Sequence, residues 1–570
     1  MFSGSRIKPQ PASSETGTAD PAACPVLMLR KPAATPATDV AAPRRPVDRF
    51  QIRQLGHAFQ VTALSAGDRA ALVTPTGVYT YRNLLRAAYR VRDRICAAAD
   101  FQPGDRVLLW LNNGPEYAAA FYGTLLAGGV AVPVPPDVDE ARLDHILSFS
   151  GARLVLTNPA VLRRRASPGL KPEEVSLDAS GIDTVPDTAE LPGGNAPAAV
   201  FFTSGSSGRP KGVTLSHENL LSNAESICQY LSIDASERAL GVLPFYHAFG
   251  NSVLQSHLLS GAAIILTGSM LFPETLIEAL RDFRATSLSG VPDVFRMLLM
   301  RTSFGRTELP DLRYVAAAGG RLDPDQADLV ARRAAPAKLF IMYGQTEATA
   351  RLSFLPPEML QERRGSIGRG IPGVELQVVD SQGKSVAPGD IGEIRARGPN
   401  VMLGYWNDPE ATASVLREGW LSTGDLATVD ADGFIYPKGR RTGFTKIAGH
   451  RVHPGELEEF IRQLPSVLEA VAVPCDGPAG TRFALFVQPW NGTDRAAADQ
   501  VATVPVTEEG LRSLCAGRLP RHLVPATVEV VDRFPLNSSF KVDRQALERR
   551  AAARQANAPA SEPLTSRPVR

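Results

Sequence analysis

Phe201-Phe-Thr-Ser-Gly-Ser-Ser-Gly-Arg-Pro-Lys-Gly-Val213 runs from an apolar strand into a loop of hydroxyls and glycines that closes on a lysine. Thr203, Ser204, Ser206 and Ser207 bring hydroxyl donors, Gly205, Gly208 and Gly212 let backbone N–H groups approach an anion, and Lys211 supplies charge. Donors, bare backbone and a cation behind a buried strand make a phosphate cradle. It is not a Walker A loop, because Lys211 is followed by Gly212 and not by Ser or Thr. A flexible Gly/Ser turn would need neither the strand before it nor the lysine after it.

The feeding strand, Ala198–Thr203, is one of a series. Arg106-Val-Leu-Leu-Trp-Leu reads as a buried strand with a helix over Pro115–Leu126 behind it, and Ala262–Thr267 and Tyr314–Ala318 are further buried strands with helical patterns between most of them. Such alternation predicts an α/β fold of mainly parallel, helix-covered sheets. From about Val374 short strands and turns take over, at Asp380-Ser-Gln-Gly, Pro388-Gly-Asp and Asp430-Ala-Asp-Gly. The expected layout is a Pro/Ala-rich disordered tail over 1–46, a large domain with a β-rich subdomain over 47–441, a small mobile α+β domain over 442–550, and a second disordered tail over 551–570.

Composition removes several classes. The 570 residues carry 61 Lys+Arg against 59 Asp+Glu, a net charge of +2, which offers no case for a nucleic-acid partner. Five cysteines without a CxxC indicate neither a zinc site nor a disulfide framework. With no apolar leader behind the first basic residues, a cytoplasmic enzyme is expected. Ala239–Pro273 holds no charged side chain for 35 residues, but Gly250 and Gly261 interrupt it and His247, Asn251, Gln255 and His257 lie within it. It reads as core and pocket lining, not as a transmembrane segment.

Five further motifs follow one another in order around the loop: Leu125–Pro136, rich in Ala, Gly and Pro; Tyr343-Gly-Gln-Thr-Glu347; Leu421-Ser-Thr-Gly-Asp425; Gly439-Arg440 with Lys446-Ile-Ala-Gly-His-Arg451; and Pro535-Leu-Asn-Ser-Ser-Phe-Lys541. Over roughly residues 50–548 the chain resembles the AMP-forming adenylating ligases: acyl-CoA synthetases, peptide-synthetase adenylation domains and luciferases. The resemblance implies ATP and Mg²⁺, a small-molecule carboxylic acid activated as an acyl adenylate, and transfer to the pantetheine thiol of CoA or of an acyl carrier protein.

It also implies roles. The 203–208 loop and Lys211 would hold phosphates, and Glu347, beside Thr346, would offer Mg²⁺ a hard oxygen ligand. Asp425 and Arg440 would hold the ribose, while Gly319, Gly320, Arg321, Tyr343 and Gly344 would surround the rest of the nucleotide. Lys541 would reach the α-phosphate and the acid's carboxylate. His247, in Pro244-Phe-Tyr-His-Ala-Phe-Gly250, would gate an acyl pocket lined by Asn251, Leu254, Val291, Ala318 and Gly344. Thr442 would be the hinge, and Lys446, Gly449 and Arg451 would serve the thioester step.

Amino-acid-activating relatives usually place an aspartate near the His247 motif. With none in Ala239–Pro273, a fatty-acyl or aryl acid without an α-amine is expected, since a buried unpaired ammonium is costly. The alternatives are an amino-acid adenylation enzyme and a catalytically silent scaffold docked through its proline-rich tail. Two positions depart from the family pattern: Thr442 stands where Asp or Lys is common, and Phe540 where glycine is usual.

Overall fold

The computed structural model describes residues 52–162, 173–175, 177, 192–203, 210–441, 445–448, 450–464, 466–477, 480–490, 506–537 and 541–556. Residues 1–46, Ser204–Gly208, Thr442, Gly449 and Phe540, together with the side chain of Arg451, lie outside that description.

Two large sheets form the body. In the seven-stranded sheet, strands Arg106–Trp110, Val130–Val134, Leu154–Thr157 and Pro197–Thr203 are linked by parallel pairings, and Lys211–Ser216 closes one side as an antiparallel partner of Pro197–Thr203. The nine-stranded sheet has a parallel centre, including Ala70–Thr74, Ala263–Ile265, Ser287–Gly290, Tyr314–Ala317 and Lys338–Tyr343, with antiparallel strands at both ends.

The reason for the parallel reading is visible in Arg106–Trp110. Val107 and Leu109 join the core between the two sheets, while Leu108 and Trp110 join a second core that includes Leu143 and Ile146 of the helix Glu140–Ser150. A strand buried on both faces has no polar side to alternate with. The core between the sheets is filled by helices, among them Tyr81–Cys96, Pro115–Leu126 and Ala248–Leu259. Gly123 lets two of them close up: a Cβ there would stand 2.6 Å from Val91 Cβ and 2.7 Å from the Ala88 carbonyl oxygen.

The β-rich part is a five-stranded antiparallel sheet that includes Glu375–Val379, Gly392–Arg397 and Trp420–Val429, with Ile435–Arg440 hydrogen-bonded to the last of these. The small C-terminal part is built on strands Val467–Gly477, Gly480–Pro489 and Thr527–Val530. It rests on the large domain through Arg296 with Glu469, through Arg321 with Glu459 at 2.8 Å, and through the Gln326 amide donating to the Leu468 carbonyl at 2.7 Å.

Of the tail expected over 551–570, residues 551–556 are helical, and the rest lies outside the described residues. The helix Arg544–Ala556 runs through Ala551-Ala-Ala-Arg, strong helix formers, and docks Leu547 and Ala551 into the small domain's core. Among the described residues no helix is long and apolar enough to cross a membrane.

Candidate active site

The strands Pro197–Thr203 and Lys211–Ser216 pair with Thr203 opposite Lys211, so the two flanks of the Gly/Ser motif are hydrogen-bonded neighbours. Next to Lys211 lies Gly212, where a Cβ would meet Val200 at 2.9 Å and Trp406 at 3.2 Å; a bare backbone lets the Gly404–Tyr405 segment close over the strand. That closure brings in Tyr405. The Lys211 ammonium sits 4.7 Å from the centre of its ring, and its hydroxyl donates to Glu347 Oε1 at 2.9 Å. Burial, then the Glu347 charge, pushes the Tyr405 phenol well above its usual range, so it stays a donor. Lys211 and Glu347, far apart in sequence, thus share one aromatic neighbour.

A second cluster centres on Asp425. Strand register sets it opposite Arg440, whose Nε donates to Oδ1 at 3.0 Å, while the Tyr343 hydroxyl donates to Oδ2 at 2.7 Å. Burial and the Asp425 charge hold the Tyr343 phenol protonated far above the usual tyrosine range. Each Asp425 oxygen therefore has one partner and retains a lone pair for another donor.

Asp425, Arg440, Tyr343, Gly319, Gly320, Arg321 and Gly344 line a cleft of about 780 Å³ between the large and small domains, and Lys541 reaches into it from the small-domain side. At the point where a Cβ on Gly319 would stand, Lys541 Cε is 3.4 Å away, Val291 3.2 Å and Phe249 3.6 Å. Gly319 has a φ of +82°, a backbone conformation that calls for glycine. Desolvation in the cleft, then Arg440, lowers the Lys541 pKa from the ordinary lysine value, with Asp293 and Asp425 pulling the other way.

Several expected residues sit differently. Arg321 lines the cleft, but its guanidinium pairs with Glu459 across the domain boundary. Gly344 is a glycine because a Cβ would stand 1.9 Å from the Ala350 carbonyl oxygen, a packing demand of its own loop. Leu254 is wholly buried in the core between the sheets. Asn251 is consumed by a buried network: it accepts from Gln255 at 3.2 Å and donates to the Tyr117 hydroxyl at 3.4 Å, while Gln255 accepts from Tyr122 at 2.5 Å. Neither lines the cleft: their helix, Ala248–Leu259, is buried nearly all round and these two positions face the core. His247 is the N-cap position of that helix, its ring 4.6 Å from Tyr246. Val291 and Ala318 are buried, the first against Gly319. Lys446 is exposed on the two-stranded sheet Thr445–Ile447 with His450–Val452, away from the cleft.

Sequence reasoning passed over Tyr405, which carries no signal of its own because its role depends on pairing with Val213. It also passed over Arg351, which did have one: an arginine following Ala348-Thr-Ala in a stretch that folds as core.

The cleft thus brings Asp425, held from both sides, together with Lys541 of the small domain, while Lys211 and Glu347 meet at Tyr405. The chain belongs to the AMP-binding enzyme family: the family's model matches residues 59–406, and that of the AMP-binding enzyme C-terminal domain matches residues 456–541. It is 32% identical over 478 residues to a feruloyl-CoA synthase of an Amycolatopsis species, covering 83% of this chain and 94% of that one. It is 29% identical over 560 residues to a long-chain-fatty-acid–CoA ligase of Escherichia coli O157:H7, covering 90% and 96%. Among solved structures it resembles the o-succinylbenzoate coenzyme A synthetase of Bacillus subtilis in complex with ATP and magnesium ion, with a TM-score of 0.71, 25% identity, and coverage of 87% of this chain and 98% of that one. The protein is thus an AMP-forming acid–thiol ligase, which sets the scaffold reading aside and does not favour amino-acid adenylation.

Proposed function

We propose that the protein activates an amine-free acyl or aryl carboxylic acid with ATP in the cytoplasm and passes the acyl group to CoA, with the residues above in the following roles. The carboxylate oxygen attacks the α-phosphorus; the new O–P bond forms as the bond to the β-phosphate breaks, and pyrophosphate leaves. The thiol sulfur then attacks the acyl carbon, losing its proton, and AMP leaves. Charge builds on phosphate oxygens in the first step, so positioned cations do most of the work.

Lys541 meets that charge from the small domain, and Lys211 meets the phosphates from the hairpin. Asp425, steadied by Tyr343 and Arg440, accepts from the ribose hydroxyls. Glu347 with Thr346 presents hard oxygen donors of the kind Mg²⁺ takes, and Tyr405 fixes one Glu347 oxygen while leaving acceptor capacity on the carboxylate. When bound, the ion would neutralise charge on the phosphates. Val291, Ala318 and His247 border the acid's end, and the 442–451 segment serves the thioester step after the small domain turns about Thr442.

The observation that carries this reading is the meeting, in one cleft, of Asp425 held from both sides and Lys541 pressed against Gly319. Pyrophosphate exchange with fatty and aryl acids, followed by thioester formation with CoA, tests it. Exchange without transfer to CoA, but with transfer to a phosphopantetheinyl carrier protein, would move the acceptor to the carrier. Exchange confined to amino acids would overturn the acid class.

A further inference from the structure

Arg351 is 1% exposed, and its Nε and Nη1 donate to nothing. Its guanidinium lies 3.9 Å from the centre of the Phe249 ring, and its polar neighbours are the phenols of Tyr230 and Tyr314. Among the described residues no carboxylate pairs with it. Desolvation lowers its pKa, but a guanidinium does not give up its proton in a protein, so the charge stays, met by the Tyr230 phenol and the Phe249 ring but by no carboxylate among the described residues. A buried charge left unpaired is strongly unfavourable, and orphaned buried donors are rare enough to require a reason.

Position supplies the reason. Phe249 is the ring that separates the guanidinium from Gly319 and the Lys541 side chain, being 3.6 Å from the point at which Lys541 Cε is 3.4 Å. Arg351 therefore lies one aromatic ring away from where the activated carboxylate must meet Lys541. Phe249, against which the guanidinium lies, also packs on an apolar cluster that includes Ala316, Ala318, Phe340 and Met342. An acid lying along this line, its near carboxylate at Lys541, would bring its far end to a planar fork of donors in an apolar wall.

We infer that Arg351 selects the far end of the substrate, and that the preferred acid carries a second carboxylate which pairs with this guanidinium once Phe249 turns aside. This rests on the acid–thiol ligase reading and narrows its substrate to dicarboxylic acids. A bidentate guanidinium–carboxylate pair would satisfy the orphaned donors and the charge together. A purely structural Arg351 would be a poor solution, since an apolar side chain of similar volume would fill the same space without the desolvation cost.

The test is pyrophosphate exchange with succinate, glutarate and adipate beside butyrate, valerate and hexanoate, on the full chain and on Arg351→Met and Arg351→Lys. At least one diacid is expected to exceed its matched monoacid tenfold or more in kcat/KM. That ratio should fall a hundredfold or more in Arg351→Met, whose melting temperature should match or exceed that of the parent. Arg351→Lys, which keeps the charge but not the fork, should lose less of the ratio, and it carries the test if Arg351→Met does not fold. Equal use of both series by the parent, or a ratio unchanged in either variant, overturns the inference while leaving the ligase reading intact. No exchange with any acid overturns both.

Discussion

The two ends of the cleft are built on different principles. At the proposed ribose end the Asp425 carboxylate is held from both sides, and one of those contacts comes from backbone register: Asp425 stands opposite Arg440 because their strands are neighbours. Behind Gly319, at the proposed acid end, the arrangement comes from side-chain packing among Phe249, Val291, Ala318 and Arg351, drawn from four separate elements, and two guanidinium nitrogens there have no acceptor. An end that binds the same nucleotide in every turnover can be satisfied in advance. On the proposed reading, an end that must discriminate among acids keeps two donors, Nε and Nη1 of Arg351, free for the right one.

The largest effect expected is at the junction of the two ends. Lys541→Ala removes a charge positioned for the adenylation transition state, so exchange should fall on the order of 10²–10³, roughly the loss seen when one preorganised donor is removed. ATP binding, measured by calorimetry, should change far less. Equal losses in binding and rate would make Lys541 a ground-state contact and blur the distinction between the ends.

Asp425→Asn comes next. The amide keeps the shape but gives up acceptor capacity and charge, leaving Arg440 and the Tyr343 hydroxyl with a poorer partner. A hydrogen bond to a charged group is worth about 1.5–3 kcal/mol, so the KM for ATP should rise roughly 10- to 100-fold with little change in the KM for the acid. A matching rise for the acid would show that the ends are coupled.

Much of this was legible beforehand. The family was legible because the Gly/Ser loop, the Tyr343–Glu347 and Leu421–Asp425 motifs and the Lys541 segment are local strings that spacing can announce. The parallel sheets were legible because doubly buried strands, such as Arg106–Trp110, leave continuous apolar runs. The acid end was not. Asn251 and Leu254 follow a pocket-like motif, yet the turn that begins their helix sends both into the core: Gly250 is so close to Pro244 that a Cβ would stand 2.0 Å from its carbonyl oxygen. Which face of a fully buried helix meets a substrate depends on its neighbours, and periodicity cannot report that for a helix apolar on every side.

Asn251→Ala turns that correction into a measurement. It strips one acceptor and one donor from the chain linking Tyr122, Gln255, Asn251 and Tyr117, leaving Gln255 with an unsatisfied amide. The cost should be about 1–3 kcal/mol of stability, read as a lower melting temperature, with the order of acid preference unchanged. A changed preference at unchanged stability would return Asn251 to the pocket.

The smallest effect expected is a shift in a pH profile. On the proposed reading Lys541 serves as a cation, and the cleft lowers its pKa below that of an ordinary lysine, first by desolvation and then through Arg440. A lysine with a lowered pKa loses its proton earlier as pH rises, so the alkaline limb of exchange should fall at a pH below that of an unperturbed lysine. The same shift makes the folded state slightly more favourable as pH rises through that range, because the unfolded chain still holds the proton there. Loss of exchange on the alkaline side is therefore a failure of chemistry and not of folding, and circular dichroism across the same range should stay constant. Lys541→Arg should abolish the limb while retaining part of the rate, since a guanidinium keeps its charge throughout. A limb that persists in Lys541→Arg would assign the titration to another group and remove Lys541 from the junction between the ends.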